Sequence, residues 1–477
     1  MLALLGLSPA ACRKQPEGAT TVIVIGGPPA LRDPAQGLLS EPDQVLVANA
    51  AQGLVRFDAA GNIVSGLAER WTVSDDGLDY IFRIESGTWR DGRKITAEQI
   101  ARLLKRELGP RSKNSLKDQF GAVEDIVAMT DRVIEISLTA PRPDLLSLLA
   151  QPQMAVIRDG QGLGPFTIAP AAPGRVKLNR DTVSPDDETT TREELLLEGA
   201  PAVSAIKAFE SDNADLVLGG TFVDLPMLQH VKLPRGSLRF DPASGLFGLV
   251  PVRSGGPLDK PEVRQLLSQA IDRDSFVAAL GVPGLAPRAT LLEPGLDGQA
   301  PLAPPWSFTA YPDRIAGLRA QANRLFGNAP KPLIRLALPQ GPGAGLLLRL
   351  LQLNWGALGF TVQRVQSSSA ADFLLIDEVA PSSSPAWFVR HFRCTFVPVC
   401  DQQADQLMDG ARQTPVPAQR YALLDQAAAL IDSGQLFLPI TAPVRWSLVS
   451  TRVQNFVGNR YARHTLTDLK AKSSNDD

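Results

Sequence analysis

Tyr80, Phe82 and Ile84 alternate with Ile81, Arg83 and Glu85, a period of two that predicts a half-buried strand. The strand is entered through Ser74-Asp75-Asp76-Gly77, residues with hairpin chemistry, so GLAERWTVSDDGLDYIFRI reads as strand, turn, strand. Upstream, 44–57 (QVLVANAAQGLVRF) is an apolar segment ending at Asp58. Downstream, WRDGRK turns the chain into TAEQIARLLKREL, where Ile100, Leu103, Leu104 and Leu108 stripe one helical face and Thr96 with Gln99 forms a capping-box pattern. Residues 133–138 (VIEISL) alternate again as a strand and stop before Pro141 and Pro143.

A polar stretch, SPDDETTTREE, reads as a looped insert. Beyond it VSAIKAFESDNADLVLGG predicts helix, turn and strand, and LFGLVPV (246–252) predicts a strand. LDKPEVRQLLSQAIDRDSFVAALG then gives two short helices, with a second capping-box pattern at Asp259 and Glu262 and Pro261 in the first turn. Residues 281–310 are a loop rich in proline and glycine. From 312 the order is helix, strand (LIRLAL), helix (LLLRLLQLNWGAL), strand (FTVQRV) and strand (ADFLLID), an alternation that predicts an α/β lobe with parallel neighbours. PAQRYALLDQAAALIDSG is the last clear helix, LFLPITAPVRWSLV returns as a strand, and the tail AKSSNDD is expected to be disordered.

With 477 residues the chain is too long for one ordinary core. Its 48 basic and 50 acidic residues carry no basic run that would track a phosphate backbone, so nucleic acid is not an expected partner. The opening MLALLGLSPAAC is apolar up to small residues and a cysteine. It reads as the tail of an export signal, and Ala10-Ala11-Cys12 resembles a bacterial lipoprotein cleavage box, which makes Cys12 the candidate lipid anchor. The segment is far too short to span a bilayer.

The stretch 380–400, APSSSPAWFVRHFRCTFVPVC, holds two of the three cysteines and one of the three histidines. His391, Cys394 and Cys400 are compatible with a metal site, a Cys/His nucleophile pair or a structural clasp. H-x2-C-x5-C supplies three ligands where a structural zinc takes four. If Cys12 carries lipid in an oxidising compartment, the other two form an even pair and a Cys394–Cys400 disulfide is the expectation. No nucleophile, base and orienting group are signalled anywhere, GPGAG (341–345) lacks the Lys-Ser/Thr of a phosphate loop, and neither cofactor nor metal is expected.

Five ordered blocks resemble the extracytoplasmic substrate-binding proteins of ABC transporters, in the oligopeptide, dipeptide and nickel-binding group (family 5). They are GLVRFDAAGNIVSGLAERWTVSDDGLDYIFRI with WRDGRKITAEQIARLLKR, GPFTIAPAAPGRVKLNR, LVPVRSGGPLDKPEVRQLLSQAIDRDSFV, LQLNWGALGFTVQRV, and ARQTPVPAQRYALLDQAAALIDSGQLFLPI. The resemblance implies an α/β, two-lobed periplasmic-binding-protein-like fold, type II, with mixed sheets and a ligand cleft between the lobes. In residue numbers, 1–20 would be signal and linker, 21–250 with 441–468 the first lobe, 251–440 the second, and 469–477 a tail. It implies a monomeric, extracytoplasmic binder of a peptide or peptide-like solute, lipid-anchored to a bacterial membrane and delivering to an ABC permease rather than catalysing. A non-transport receptor of the same fold, or a binder of an oligosaccharide or metal chelate, is the alternative.

The resemblance also implies that the segment after ADFLLID faces the ligand, where peptide-binding relatives carry an aspartate for the peptide's amino terminus. This chain has Pro381, Ser382, Ser383 and Ser384 there, and the nearest carboxylates are Asp377 and Glu378. Those two, with Trp387 and Phe388 as stacking surface and Arg390 as an anion clamp, are the candidate ligand residues.

Overall fold

The computed structural model describes residues 19–183, 190–297, 301–327, 329–467 and 469–471. Cys12 and the rest of the export segment lie outside them, as do 472–477 of the expected tail. The tail's beginning is ordered, since Lys470–Ala471 pairs antiparallel with Val453–Gln454.

Among the described residues the first lobe has two large sheets beside small two-stranded ones. Seven strands run in the order Thr167–Ala169, Arg175–Val183, Thr190–Ala200, Thr20–Ile25, Leu216–Thr221, Arg445–Val449 and Leu238–Phe240. Only Thr20–Ile25 is parallel to its neighbours. The expected insert is therefore half wrong: 184–189 lie outside the described residues, but Thr190–Ala200 is a strand. Its polar start is held by cross-strand charge, Arg180 to Glu193 at 2.6 Å and Lys177 to Glu194 at 2.8 Å, which a reading for apolar alternation misses.

A separate antiparallel sheet orders Ala68–Val73, Asp79–Ile84, Val133–Leu138 and Val123–Thr130. Tyr80, Phe82 and Ile84 are buried beneath the helix Ala97–Leu108 through Ile100 and Leu104, while Ile81 faces out. Thr96 caps that helix by accepting from the Gln99 N–H at 3.3 Å. The reciprocal half of the box is missing because the Gln99 side chain accepts from the buried indole of Trp89 at 3.0 Å. The second expected box also fails: Asp259 precedes the helix Pro261–Gln269 but accepts from the N–H groups of Gly255 and Gly256, closing its own turn.

The second lobe carries five strands in the order Thr361–Val365, Leu333–Ala337, Phe373–Val379, Gly245–Pro251 and Leu438–Pro439. The first three are parallel, as the helix–strand alternation predicts, and Gly245–Pro251 pairs antiparallel with both Phe373–Val379 and Leu438–Pro439. The chain crosses between lobes at 241–244 and 440–444. Gly245–Pro251 thus pairs within the five-stranded sheet, and LFLPITAPVRWSLV is two strands in different sheets. Aromatic packing runs through this crossing: Phe222 meets Phe247 edge to face at 4.8 Å and Phe247 stacks on Phe276 at 5.9 Å.

Candidate ligand-binding cleft

The second lobe supplies one continuous wall. Phe373–Val379 ends at the lobe interface, the chain turns through Ala380–Ser384, and a short helix, Pro385–Arg390, follows with proline in its first turn. His391 closes that helix: its Nδ1 donates to the Trp387 carbonyl at 2.8 Å, its ring packs edge-on against Trp387 at 4.6 Å, and Nε2 lies 3.3 Å from Glu378 Oε2. The hydrogen bond from His391 holds Glu378 below the usual glutamate range, with Arg390 and Arg445 acting the same way. Beyond the helix the sulfurs of Cys394 and Cys400 are 2.13 Å apart, and Phe396 between them stands exposed.

The first lobe supplies three separate pieces. Ser115–Gln119 is positioned by Asn114, whose side-chain N–H groups donate to Glu107 at 3.1 Å and to the Gln153 carbonyl at 2.7 Å while its oxygen accepts from Leu116 N–H at 2.9 Å. Burial pushes the Glu107 carboxyl up to about 7. Gln151 and Gln153 flank Pro152, and Tyr461 with Arg463 come from the C-terminal segment. Tyr461 is stacked on Phe57 at 4.7 Å, and Arg463 donates to Gln151 at 3.4 Å.

Between these walls lies a cavity of about 300 Å³. Gln151 spans it, donating to the Pro381 carbonyl at 2.8 Å, and Ser382 donates to Asp144 of the first lobe at 3.1 Å. Gln153 lines it with a buried side-chain oxygen that has no hydrogen-bond partner among the described residues.

Of the five candidate ligand residues, Glu378, Trp387 and Arg390 line this cavity. Phe388 does not: one position further round the helix it is fully buried in the second lobe's core. Asp377 does not either. It pairs with Arg445 on the strand returning to the first lobe, at 2.8 Å, so it ties the crossing instead of facing ligand, and burial raises its pKa against that pairing. The serines that replace the expected acid are donors, Ser382 to Asp144 and Ser383 to Asp297 at 2.8 Å. The three glutamines, Tyr461 and Arg463 were not foreseen; Gln151 and Gln153 beside a proline after LLSLLA were the only trace of them.

Two α/β lobes, joined by crossing strands and lining one cavity from both sides, define a receptor that holds a small solute between its lobes. The chain belongs to the bacterial extracellular solute-binding proteins, family 5, whose middle region matches residues 62–378. It is 25% identical to a probable di/tripeptide-binding protein 5 of Pseudomonas aeruginosa (strain UCBPP-PA14) over 88% of this chain and 89% of that one. It is 23% identical to the glutathione-binding protein GsiB of Escherichia coli (strain K12), over 85% of each. The fold is shared with the murein tripeptide binding protein MppA of Escherichia coli (TM-score 0.80, 18% identity, 95% of this chain and 98% of that one). It is shared equally with Haemophilus influenzae OppA in complex with RPPGFSPFR (TM-score 0.80, 15% identity, 96% and 100%).

Proposed function

We propose that this protein captures a short peptide or peptide-like solute between its lobes and delivers it unaltered to the membrane permease of an ABC importer. The observation that carries the reading is the ionised Glu378 in a cavity that both lobes line, with Gln151 and Gln153 on the facing wall. A peptide's ammonium needs a counter-charge in a closed cleft. Glu378 supplies it from the strand end, three positions before the Pro381–Ser384 run that lacks one. Gln153 accepts from a peptide N–H, and the edge of Trp387 gives an apolar contact. A cavity of about 300 Å³ is at the small end of ligand sites, which favours two or three residues over a long chain. The relatives named for di- or tripeptides and for glutathione point the same way.

The remaining parts of the reading follow from export. Cys12 carries the lipid anchor on the outer face of a bacterial membrane, the Cys394–Cys400 bond is oxidised there, and the protein works as a monomer whose closed form the permease recognises.

Native mass spectrometry of co-purified ligand, followed by a thermal-shift series, tests this. Di- and tripeptides with free amino termini are expected to stabilise the protein, by about 2.7 kcal/mol at a hundredfold excess over Kd, and their N-acetylated forms far less. Equal shifts from acetylated peptides would remove the Glu378 role. Shifts only from oligosaccharides or metal chelates would replace the peptide reading altogether.

A further inference from the structure

A second cavity, of about 550 Å³, adjoins the first and shares Gln119, Arg390 and Phe396 with it. It too lies between the lobes, but its chemistry differs. Lys117 and Arg142 of the first lobe face Arg390, Arg393, Arg412 and Arg420 of the second. Three of these six cations have carboxylate partners: Arg390 with Asp118 at 3.4 Å, Arg142 with Asp144 at 3.2 Å and Arg393 with Asp409 at 2.7 Å. Lys117 rests on the Ser112 carbonyl at 2.6 Å, Arg420 on the carbonyls of Pro141 and Thr414, and Arg412 is exposed, with no carboxylate partner among the described residues. The cavity floor is apolar, with Val389, Met408 and Leu424.

Positive charges drawn from both lobes into one cleft repel each other, most strongly where they are partly buried. Burial pushes the pKa of both Arg390 and Arg420 down; Arg142 adds to this at Arg420, while at Arg390 Asp118 opposes it ahead of the contributions of Arg393 and Arg412. An oxyanion between these cations would relieve the crowding and satisfy the planar donors of arginine in pairs.

We propose that this second cavity is a subsite for an oxyanionic group of the captured solute, an acidic side chain on a peptide whose amino end occupies the first cavity. The proposal rests on the peptide reading above for the identity of the solute, but not for the anion. It makes the protein selective for acidic peptides and makes the anion part of what holds the lobes closed.

Calorimetry on the full chain with Ala-Ala-Glu and Ala-Ala-Gln tests it, together with thermal shifts in inorganic phosphate against sodium chloride of equal ionic strength. The acidic peptide is expected to bind at least about tenfold more tightly than the neutral one, with the ratio shrinking in high salt. Arg412→Gln, at an exposed position, should reduce that ratio to a few-fold while leaving the neutral peptide's Kd unchanged, and Arg412→Lys should restore part of it. Equal binding of the two peptides, or an undiminished ratio in Arg412→Gln, overturns the subsite. If no peptide binds but phosphate stabilises the parent protein more than Arg412→Gln, the anion site stands and the peptide reading falls. If phosphate does no more than chloride and no peptide binds, both fall.

Discussion

The wall of the cleft built by the second lobe runs unbroken from Glu378 to Phe396, whereas the first lobe's wall is assembled from Ser115–Gln119, the Gln151–Gln153 corner and the Tyr461–Arg463 segment. The two walls are also held differently. Aromatic packing of Trp387, Phe388 and His391 and the Cys394–Cys400 bond hold the continuous wall. A buried polar network around Glu107 and Asn114 holds the assembled one. Contiguous chemistry can be fixed locally, while dispersed chemistry needs side chains that reach between segments. Those side chains are buried and polar, which makes the first wall sensitive to protonation.

Glu107 should therefore show the largest effect. Its folded carboxyl titrates near 7 against 4.5 in the unfolded chain, so between those values the folded state holds more protons. Stability must fall as pH rises through that window, and the loss is complete above about pH 7, amounting to about 3 kcal/mol. Glu107→Gln keeps an acceptor for Asn114 but cannot ionise. Urea denaturation at pH 5 and pH 8 should show a smaller difference in the variant than in the parent, with the variant the more stable at pH 8. An identical pH difference in both proteins would clear Glu107 of that role.

On the second wall, Glu378→Gln removes charge without removing shape. A hydrogen bond to a charged group is worth about 1.5–3 kcal/mol, so a peptide with a free amino terminus should bind roughly tenfold to a hundredfold more weakly. The melting temperature of the unliganded protein should hardly move, because the Glu378 side chain is more than half exposed. An unchanged Kd would place the ammonium elsewhere. Replacing both Cys394 and Cys400 by serine opens a loop with a sequence separation of 6. The expected loss is about 2–2.5 kcal/mol of stability in urea, with ligand affinity falling as Phe396 loosens. A midpoint equal to that of the parent would show that the aromatic packing alone suffices.

The contrast between the walls also explains what could be read from sequence. Many strands and helices of both lobes follow from apolar periodicity, and the second wall was visible because cysteine, histidine and tryptophan gather in one run. Even there, Phe388 and Asp377 were misplaced, because adjacent positions on a strand end or short helix face different ways. The direction is set by what lies behind: a core for Phe388, Arg445 for Asp377. The polar strand Thr190–Ala200 was hidden for the same reason as the first wall. Arg180 and Glu193 support it from across the sheet, and a pairing between distant charges has no signature in either segment alone.

Gln153 is the smallest and most discriminating test of the first wall. Its side-chain N–H donates to Gln44 at 3.2 Å, and its oxygen is buried without a partner. If that oxygen is reserved for ligand, Gln153→Met should leave the unliganded protein nearly as stable as before. The substitution removes an unsatisfied acceptor, and the half-buried Gln44 can turn to water. Peptide binding should weaken by about 1 kcal/mol, roughly fivefold, the usual net value of one neutral hydrogen bond. A structural role predicts the reverse, lower stability with Kd unchanged. Comparing urea midpoints with calorimetric Kd for the one variant separates them, because only a ligand-facing acceptor is idle until the cleft is filled.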